Sequence, residues 1–113
     1  MADTLFTRIL NKDIPADIVY EDELCFAIKD INAQAPVHLL LIPKNPLEKL
    51  SDAAHDDQAL LGHMLLAVGK LTRQLKIDAA FRLVINNGAQ AGQSVFHLHM
   101  HILAGRPFRW PPG

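Results

Sequence analysis

The sequence predicts an α+β domain with a mostly antiparallel sheet, and three observations lead to that class. Five short stretches have strand character, at 18–21, 25–30, 37–43, 81–86 and 95–104. One helical stretch, at 56–75, lies between the third and the fourth of them. The order of strands, then one helix, then strands again is typical of a sheet with its helix segregated to one face.

The first three strands have clear boundaries in the sequence. The stretches "IVYE" and "CFAIKD" are separated only by "DEL", a spacing that indicates a hairpin. "VHLLLIP" is continuously apolar, which predicts a strand buried on both faces. Pro36 and Pro43 mark the two ends of this third strand, because proline is confined to strand ends and edges.

The helical stretch carries one apolar stripe. Its members recur every three or four residues, at Leu61, Leu65, Val68, Leu71 and Leu75. Acidic residues lie at its start and basic residues at its end, as the helix dipole favours. We therefore expect the stripe to cover one face of the sheet.

Length, charge and composition argue against several classes of function. The 113 residues predict a single domain, 1–113, and the formal net charge of −1 lacks the basic footprint of a nucleic-acid-binding protein. No apolar run reaches the ~18 residues of a membrane span, and the first residues do not read as a signal peptide. The one cysteine, Cys25, fits a reducing compartment. We expect a cytoplasmic protein with no nucleic-acid or membrane partner.

The fifth strand carries three histidines at alternate positions, in "HLHMH": His97, His99 and His101. On a strand these side chains share one face. The apolar residues between and around them, Phe96, Leu98, Met100 and Ile102, are then expected to pack against the helix. The histidine face is left for solvent or for a cleft.

Three interpretations of the histidine row remain open at this point. A polar surface formed by chance is disfavoured, because neighbouring imidazoles repel when protonated. Two histidines spaced His-x-His can bind zinc. However, three in a straight row do not converge on one ion, and no acidic residue follows them in the chain.

The third interpretation is phosphate chemistry, and the preceding loop favours it. Imidazole can attack phosphorus and form a covalent intermediate. In "NGAQAGQS", Gly88 and Gly92 allow close approach of the backbone, while Gln93 and Ser94 offer hydrogen-bond donors. The sequence therefore favours a phosphate site over a metal site.

The stretch "HLHMHIL" matches the histidine-triad signature at every position, and "AGQSVFHLHMH" followed by "WPPG" is more specific still. The chain resembles the histidine-triad (HIT) superfamily over nearly its whole length, and within it the nucleotide-binding, HINT-like branch. The resemblance implies a five-stranded antiparallel sheet, one long helix and a short N-terminal helix. It also implies a homodimer with a ten-stranded sheet, and places the C-terminal region of Trp110 near the partner's site.

The activity that this resemblance implies is hydrolysis of purine nucleoside phosphoramidates, in which adenosine monophosphate (AMP) is linked to an amine or to lysine. His99 corresponds to the nucleophile that forms a nucleotidyl-histidine. His97 and His101 correspond to residues that orient it or contact the phosphate. His38 matches the fourth family histidine, and Ser94 the serine near the leaving group. No cofactor and no metal are expected.

The resemblance also implies a nucleotide-binding set. Asp30 matches the acid that binds the ribose hydroxyls, and Asn86 the asparagine of the phosphate site. Phosphate-binding loop positions correspond to Gly92, Gln93 and Val95. The base pocket corresponds to Phe6, Ile14, Phe26 and Ile31. For these last four, spacing alone is equally consistent with plain core residues.

Two other functions use the same residues. One is a nucleotide-binding or scaffold protein whose hydrolysis is incidental, which sequence does not distinguish from an enzyme. The other is a diadenosine-polyphosphate hydrolase of a sister branch, although "GQS" and "WPPG" favour the HINT-like branch. The physiological substrate is left open.

Overall fold

A computed structural model describes residues 3–113, so the first two residues of the predicted domain lie outside the described part. Its helices and strands are α1 Leu5–Leu10, β1 Ile18–Glu21, β2 Cys25–Lys29, β3 Val37–Pro43, α2 Gln58–Gln74, β4 Phe81–Val84 and β5 Met100–Ala104. The sheet order is β1-β2-β3-β5-β4, and every neighbouring pair is antiparallel. The predicted α+β class, five-stranded sheet and short first helix are confirmed. Most boundaries coincide with the predicted ones, and all but the start of β5 agree to within two residues.

The sheet separates two apolar cores. On one face, α2 packs against the sheet, with buried Met64 and Leu71 against Leu41. On the other face, α1 contributes Phe6, which joins a cluster with Leu40 and its neighbours on β2 and β3. Strand β3 is therefore buried on both sides, as its continuous apolar sequence predicts.

The buried face of α2 includes only Val68 and Leu71 of the predicted stripe. The buried residues are Met64, Ala67, Val68, Leu71 and Thr72. Leu65 is 53% exposed, and Leu75 is exposed as well. Thr72 tolerates burial because its hydroxyl donates to the backbone carbonyl of Val68, at 2.8 Å. The helix is thus rotated toward its smaller residues, where Ala67 allows close approach to the sheet.

Strand β5 begins at Met100, five residues later than predicted. Its neighbour β3 ends at Pro43, which has no N–H, and the Pro43 carbonyl accepts a hydrogen bond from the His97 ring, at 2.7 Å. The Leu98 N–H donates to the carbonyl of Leu47 rather than to a strand, at 2.6 Å. Residues 95–99 therefore leave the sheet. The expected alternation across 95–104 is wrong before Met100, and Phe96 is 41% exposed instead of packed under the helix.

The C-terminal tail folds back toward β4. The guanidinium groups of Arg82 and Arg106 each lie over the ring of Phe108, at 5.2 and 4.5 Å from its centroid. Arg82 also donates to the carbonyl of Arg109, at 3.0 Å. Trp110, next in the chain, is exposed. Across residues 3–113, no helix combines the length and the apolar character needed to cross a membrane.

Candidate active site

The His99 ring is oriented by the backbone. Its Nδ1 lies 2.8 Å from the carbonyl oxygen of His97. A carbonyl oxygen only accepts, so the proton resides on Nδ1 and the lone pair on Nε2. No residue within 3–113 makes a hydrogen bond to that Nε2 nitrogen. A histidine with one nitrogen anchored and the other free has the arrangement that a nucleophile requires.

His38 and His101 form a second anchored pair. The Nδ1 of His38 accepts from the backbone N–H of Gln34, at 3.0 Å, which places its ring proton on Nε2. That Nε2 lies 2.9 Å from Nδ1 of His101 and 3.3 Å from a carboxylate oxygen of Asp30. Because Nδ1 of His101 accepts, the His101 proton lies on its Nε2. Burial, with the nearby His99 and His38, lowers the pKa of His101 to about 4.

His97 differs from the other two triad histidines because it is wholly buried and does not line the cavity. Its Nε2 donates to the Pro43 carbonyl, and its Nδ1 lies 2.8 Å from the hydroxyl of Thr4. Burial lowers the pKa of His97. Its own carbonyl holds His99. His97 therefore acts on the site through its backbone carbonyl and not through its ring.

The rings of His38, His101 and His99 form one continuous group, and Phe6 links the His97 ring to it. The ring centroids of His99 and His101 are 5.0 Å apart, and those of His38 and His101 are 5.2 Å apart. The Phe6 ring stands edge-on to His97 and His99, at 5.6 and 5.0 Å. The first helix thereby contacts the histidines directly.

A cavity of about 250 Å³ opens beside these rings. It is mostly apolar, with a few polar groups, a composition typical of ligand sites. Its lining comprises Leu5, Phe6, Ile9, Ile14, Pro15, Ala16, Ile28, Lys29, Asp30, Ile31, Leu40, Ser94, Val95, His99 and His101. Asp30, Ser94 and the two histidines supply hydrogen-bonding groups next to an apolar wall.

Three of the four residues predicted for the base pocket line this cavity: Phe6, Ile14 and Ile31. Phe26 does not line it. Phe26 is fully buried in the core beneath Phe6. Sequence reasoning missed Ile28 and Leu40, although a signal was available. Each lies two positions from a predicted site residue, Asp30 or His38, and so shares its face of the sheet.

The glycine-rich loop is held by its own glutamine. Gly88 and Gly92 have positive φ angles of 92° and 101°. The Gln93 side chain accepts from the Gly88 N–H, at 2.8 Å, and donates to the carbonyls of Glu48 and Val95. A Cβ at Gly92 would lie 3.6 Å from the side-chain amide of Asn86. Of the predicted loop residues, Ser94 and Val95 line the cavity, whereas Asn86, Gly92 and Gln93 do not.

Within residues 3–113, two groups of side chains bring potential metal ligands within 4.8 Å of one another: Asp30, His38 and His101 beside the cavity, and Asp22, Cys25 and His63 on the other side of the sheet. The first group brings the Asp30 carboxylate to the histidines, although no acidic residue follows them in the sequence. Two imidazole nitrogens and a carboxylate oxygen suit zinc chemically. In this structure Nε2 of His38 hydrogen-bonds to Nδ1 of His101 and lies 3.3 Å from a carboxylate oxygen of Asp30.

Comparison with known proteins identifies the family. The sequence profile of the HIT domain matches residues 11–108. The chain belongs to the HIT family. An uncharacterized HIT-like protein of Synechocystis is 63% identical over 111 residues, which cover 98% of this chain and 97% of that protein. A 14 kDa zinc-binding protein of Brassica juncea is 44% identical, with coverage of 98% and 100%.

A solved HIT structure matches the whole fold. The HIT family hydrolase from Legionella pneumophila superposes with a TM-score of 0.94 at 41% identity, covering 98% of this chain and all of that one. The HIT family sheet and its helices are therefore shared along essentially the full length of both chains.

Proposed function

We propose that this HIT protein hydrolyses purine nucleoside phosphoramidates through a covalent nucleotidyl intermediate on His99. The observation that carries the proposal is the anchored His99 ring, whose Nε2 has no hydrogen-bond partner within residues 3–113 while the residue lines the cavity. The name of the Legionella relative, a HIT family hydrolase, supports a hydrolase in general. The phosphoramidate substrate is inferred from the resemblance of the motif and loop to the HINT-like branch.

In the proposed reaction, the lone pair of His99 Nε2 attacks the α-phosphorus. The P–N bond to the amine breaks, and the amine leaves with a proton. Water then attacks the phosphorus of the adduct, the bond to Nε2 breaks, and AMP is released. The leaving amine takes its proton from solvent, and the attacking water returns one. One water is therefore consumed overall: its oxygen and one hydrogen end on AMP, and its other hydrogen ends on the amine.

The neighbouring groups suit the charge that develops on the phosphoryl oxygens. His101 carries its proton on Nε2, because its Nδ1 accepts from His38. The lowered pKa of His101 keeps this ring an uncharged donor at neutral pH. A donor held in place before the reaction stabilises oxyanions without reorganisation. We assign phosphate contact to His101 and support of its ring to His38.

The remaining cavity residues suit a nucleoside. Asp30 accepts from the backbone N–H of Asn32 through one oxygen, at 2.9 Å, and a carboxylate has further lone pairs for two ribose hydroxyls. The apolar wall contributed by Phe6 and Ile14 suits a purine ring. Ser94, which is exposed at the cavity, is assigned to the leaving group.

The test is hydrolysis of adenosine phosphoramidate in the presence of EDTA, together with trapping of the adduct from a slow-leaving analogue. We expect turnover to persist in EDTA and mass spectrometry to locate the nucleotidyl group on His99, with no adduct in His99→Ala. An adduct on another residue would overturn the mechanism. Binding of AMP without turnover of any phosphoramidate would instead indicate a nucleotide-binding protein.

The zinc-binding name of the Brassica relative makes elemental analysis a necessary control. The purified protein is expected to carry no stoichiometric zinc. Stoichiometric zinc, with activity lost in EDTA and lost again in His38→Ala, would show that Asp30, His38 and His101 bind a metal. The metal-independent mechanism would then be wrong.

We further propose that the protein is a homodimer joined through β4. This strand lies at an edge of the sheet, where its outer backbone groups have no strand partner within residues 3–113. Pairing of two such edges would give the ten-stranded sheet and bring the exposed Trp110 region toward the partner's site. Sedimentation at micromolar concentration tests this, and a monomer at that concentration would contradict it.

A further inference from the structure

Thr4 makes two sets of hydrogen bonds that join distant parts of the chain. It is the N-cap of α1, where its hydroxyl oxygen accepts from the backbone N–H of Thr7, at 3.2 Å. In return, the Thr4 N–H donates to the hydroxyl of Thr7, at 2.8 Å. The same Thr4 hydroxyl lies 2.8 Å from Nδ1 of His97, 93 positions later in the chain.

The direction of the bond between Thr4 and His97 follows from the other end of the ring. Nε2 of His97 lies 2.7 Å from the Pro43 carbonyl, which only accepts, so the ring proton is on Nε2. Nδ1 then has a lone pair, and the Thr4 hydroxyl donates to it. Both nitrogens of this fully buried ring are therefore occupied.

His97 does not line the cavity, yet it lies only two residues before the proposed nucleophile. Its carbonyl oxygen accepts the Nδ1–H of His99, at 2.8 Å. Residues 95–99 lie outside the sheet, so strand pairing does not fix the direction of that carbonyl. The Leu98 N–H of the same rigid peptide unit donates to the Leu47 carbonyl, and this bond and the two ring bonds of His97 together hold the carbonyl in place.

We propose that Thr4 is a positioning residue for the nucleophile: its hydroxyl fixes the His97 ring, and through the His97 carbonyl it aims Nε2 of His99. The expected effect of Thr4 on kcat rests on the proposed function. The same helix supplies the apolar wall through Phe6, whose ring also contacts His97 and His99. Helix α1 therefore joins the base pocket to the reacting nitrogen.

The variants separate this contact from helix capping. Thr4→Ser keeps the hydroxyl. Thr4→Val removes it, and Thr4→Gly removes it while leaving a residue that caps helices nearly as well. Thr7→Val is the matched control, because it breaks the capping box but leaves the Thr4 hydroxyl facing His97.

With adenosine phosphoramidate, we expect Thr4→Val and Thr4→Gly to lower kcat by about tenfold and to change KM by less than about twofold. Thr4→Ser and Thr7→Val should stay within about twofold of wild type in kcat. Equal losses in Thr7→Val and Thr4→Val, with Thr4→Gly close to wild type, would show that capping alone matters and would overturn the proposal. So would an unchanged kcat in both hydroxyl-free variants.

Nitrogen-15 spectra of the imidazole rings test the same contact without turnover. In wild type, His97 should show an Nε2–H tautomer with a hydrogen-bonded Nδ1, and His99 an Nδ1–H tautomer. In Thr4→Gly, the His97 Nδ1 signal should move toward that of an unbonded nitrogen, and His99 should show mixed tautomers. Unchanged ring signals would overturn the positioning role even if wild type hydrolyses no phosphoramidate, so failure of the proposed function would be recognised separately.

Discussion

Two histidine–carboxylate clusters of similar composition lie on opposite faces of the sheet. In one, Nε2 of His38 approaches an oxygen of Asp30, at 3.3 Å. In the other, Nε2 of His63, on α2, approaches an oxygen of Asp22, at 2.7 Å. Each also has a third group that could bind a metal, His101 in the first and Cys25 in the second. Their surroundings differ more than their composition does.

In the cluster on the helix side, every acceptor site of Asp22 is used. One oxygen accepts from the backbone N–H groups of Leu24 and Cys25, at 2.8 and 2.9 Å. The other accepts from the Tyr20 hydroxyl, at 2.6 Å, and from His63. Burial raises the pKa of Asp22, but these hydrogen bonds outweigh it and hold the pKa well below its ordinary value. The hydrogen bond to Asp22 raises the pKa of Tyr20 to about 12.

The cluster at the cavity has hydrogen-bonding groups that are not used within residues 3–113. The proton on Nε2 of His101 and the lone pair on Nε2 of His99 are not committed to hydrogen bonds within residues 3–113. Both residues line an apolar cavity. The comparison indicates that residue type does not separate a structural cluster from a chemical one. The difference is whether donors and acceptors remain free where a ligand can reach them.

The sharpest test of this difference is the pair His99→Ala and His63→Ala. We expect the first to lower kcat/KM for adenosine phosphoramidate by ~10³-fold or more, because covalent catalysis is removed. The second should change it by less than about twofold. Steady-state assays with circular dichroism as a folding control measure both, and a large loss in His63→Ala would contradict the division.

A smaller kinetic effect is expected for His101→Ala. Loss of one preorganised donor to the phosphoryl oxygens should lower kcat by about 10²-fold. Single-turnover kinetics should assign the loss to formation of the adduct. If kcat fell less than about threefold, His101 would not be a phosphate contact.

The Asp22 cluster should instead govern stability. Asp22→Ala removes the acceptor of four hydrogen bonds and is expected to lower the free energy of unfolding by about 2 kcal/mol, with kcat of the folded protein unchanged. Urea unfolding measures the first quantity. Asp30→Ala is the matched variant, expected to raise KM while costing less stability, and the reverse pattern would show that the roles are exchanged.

The smallest effect concerns pH. The pKa of His101 falls from 6.5 in the unfolded chain to about 4 in the folded protein, mainly through burial. Between these values the unfolded chain binds more protons, so the free energy of unfolding decreases as pH falls through this window. We expect His101→Gln to flatten this dependence between pH 7 and pH 5 by roughly 1.8 kcal/mol. Identical slopes for the variant and wild type would contradict the assignment.

The fold class and the central motif could be predicted because they depend on local patterns. Periodicity in β3 and the spacing in "HLHMH" are properties of neighbouring residues. The start of β5 could not be predicted, because it depends on Pro43, whose carbonyl receives the His97 ring. The sequence also did not predict which face of α2 is buried. Leu65 and Met64 are both apolar, and contact with the sheet decides which of them is covered.

The contacts that complete the site join residues far apart in sequence. Thr4 meets His97 across 93 positions, and His38 meets His101 across 63. His38 was identified through family resemblance, and Thr4 carries no local signal beyond its suitability as a helix cap. Motif spacing therefore located the reacting group, whereas the residues that aim it emerge only from the packing of helix α1.

The burial of Cys25 has a practical consequence. The residue lies in the core beneath α2, and burial raises the pKa of its thiol to about 12, so almost none of it is thiolate at neutral pH. Cys25 of the native protein should therefore react very slowly with maleimide reagents. A cysteine introduced at exposed Trp110 would be the one fast-reacting thiol of the chain. A fluorophore placed there would report on the tail without removal of the natural cysteine.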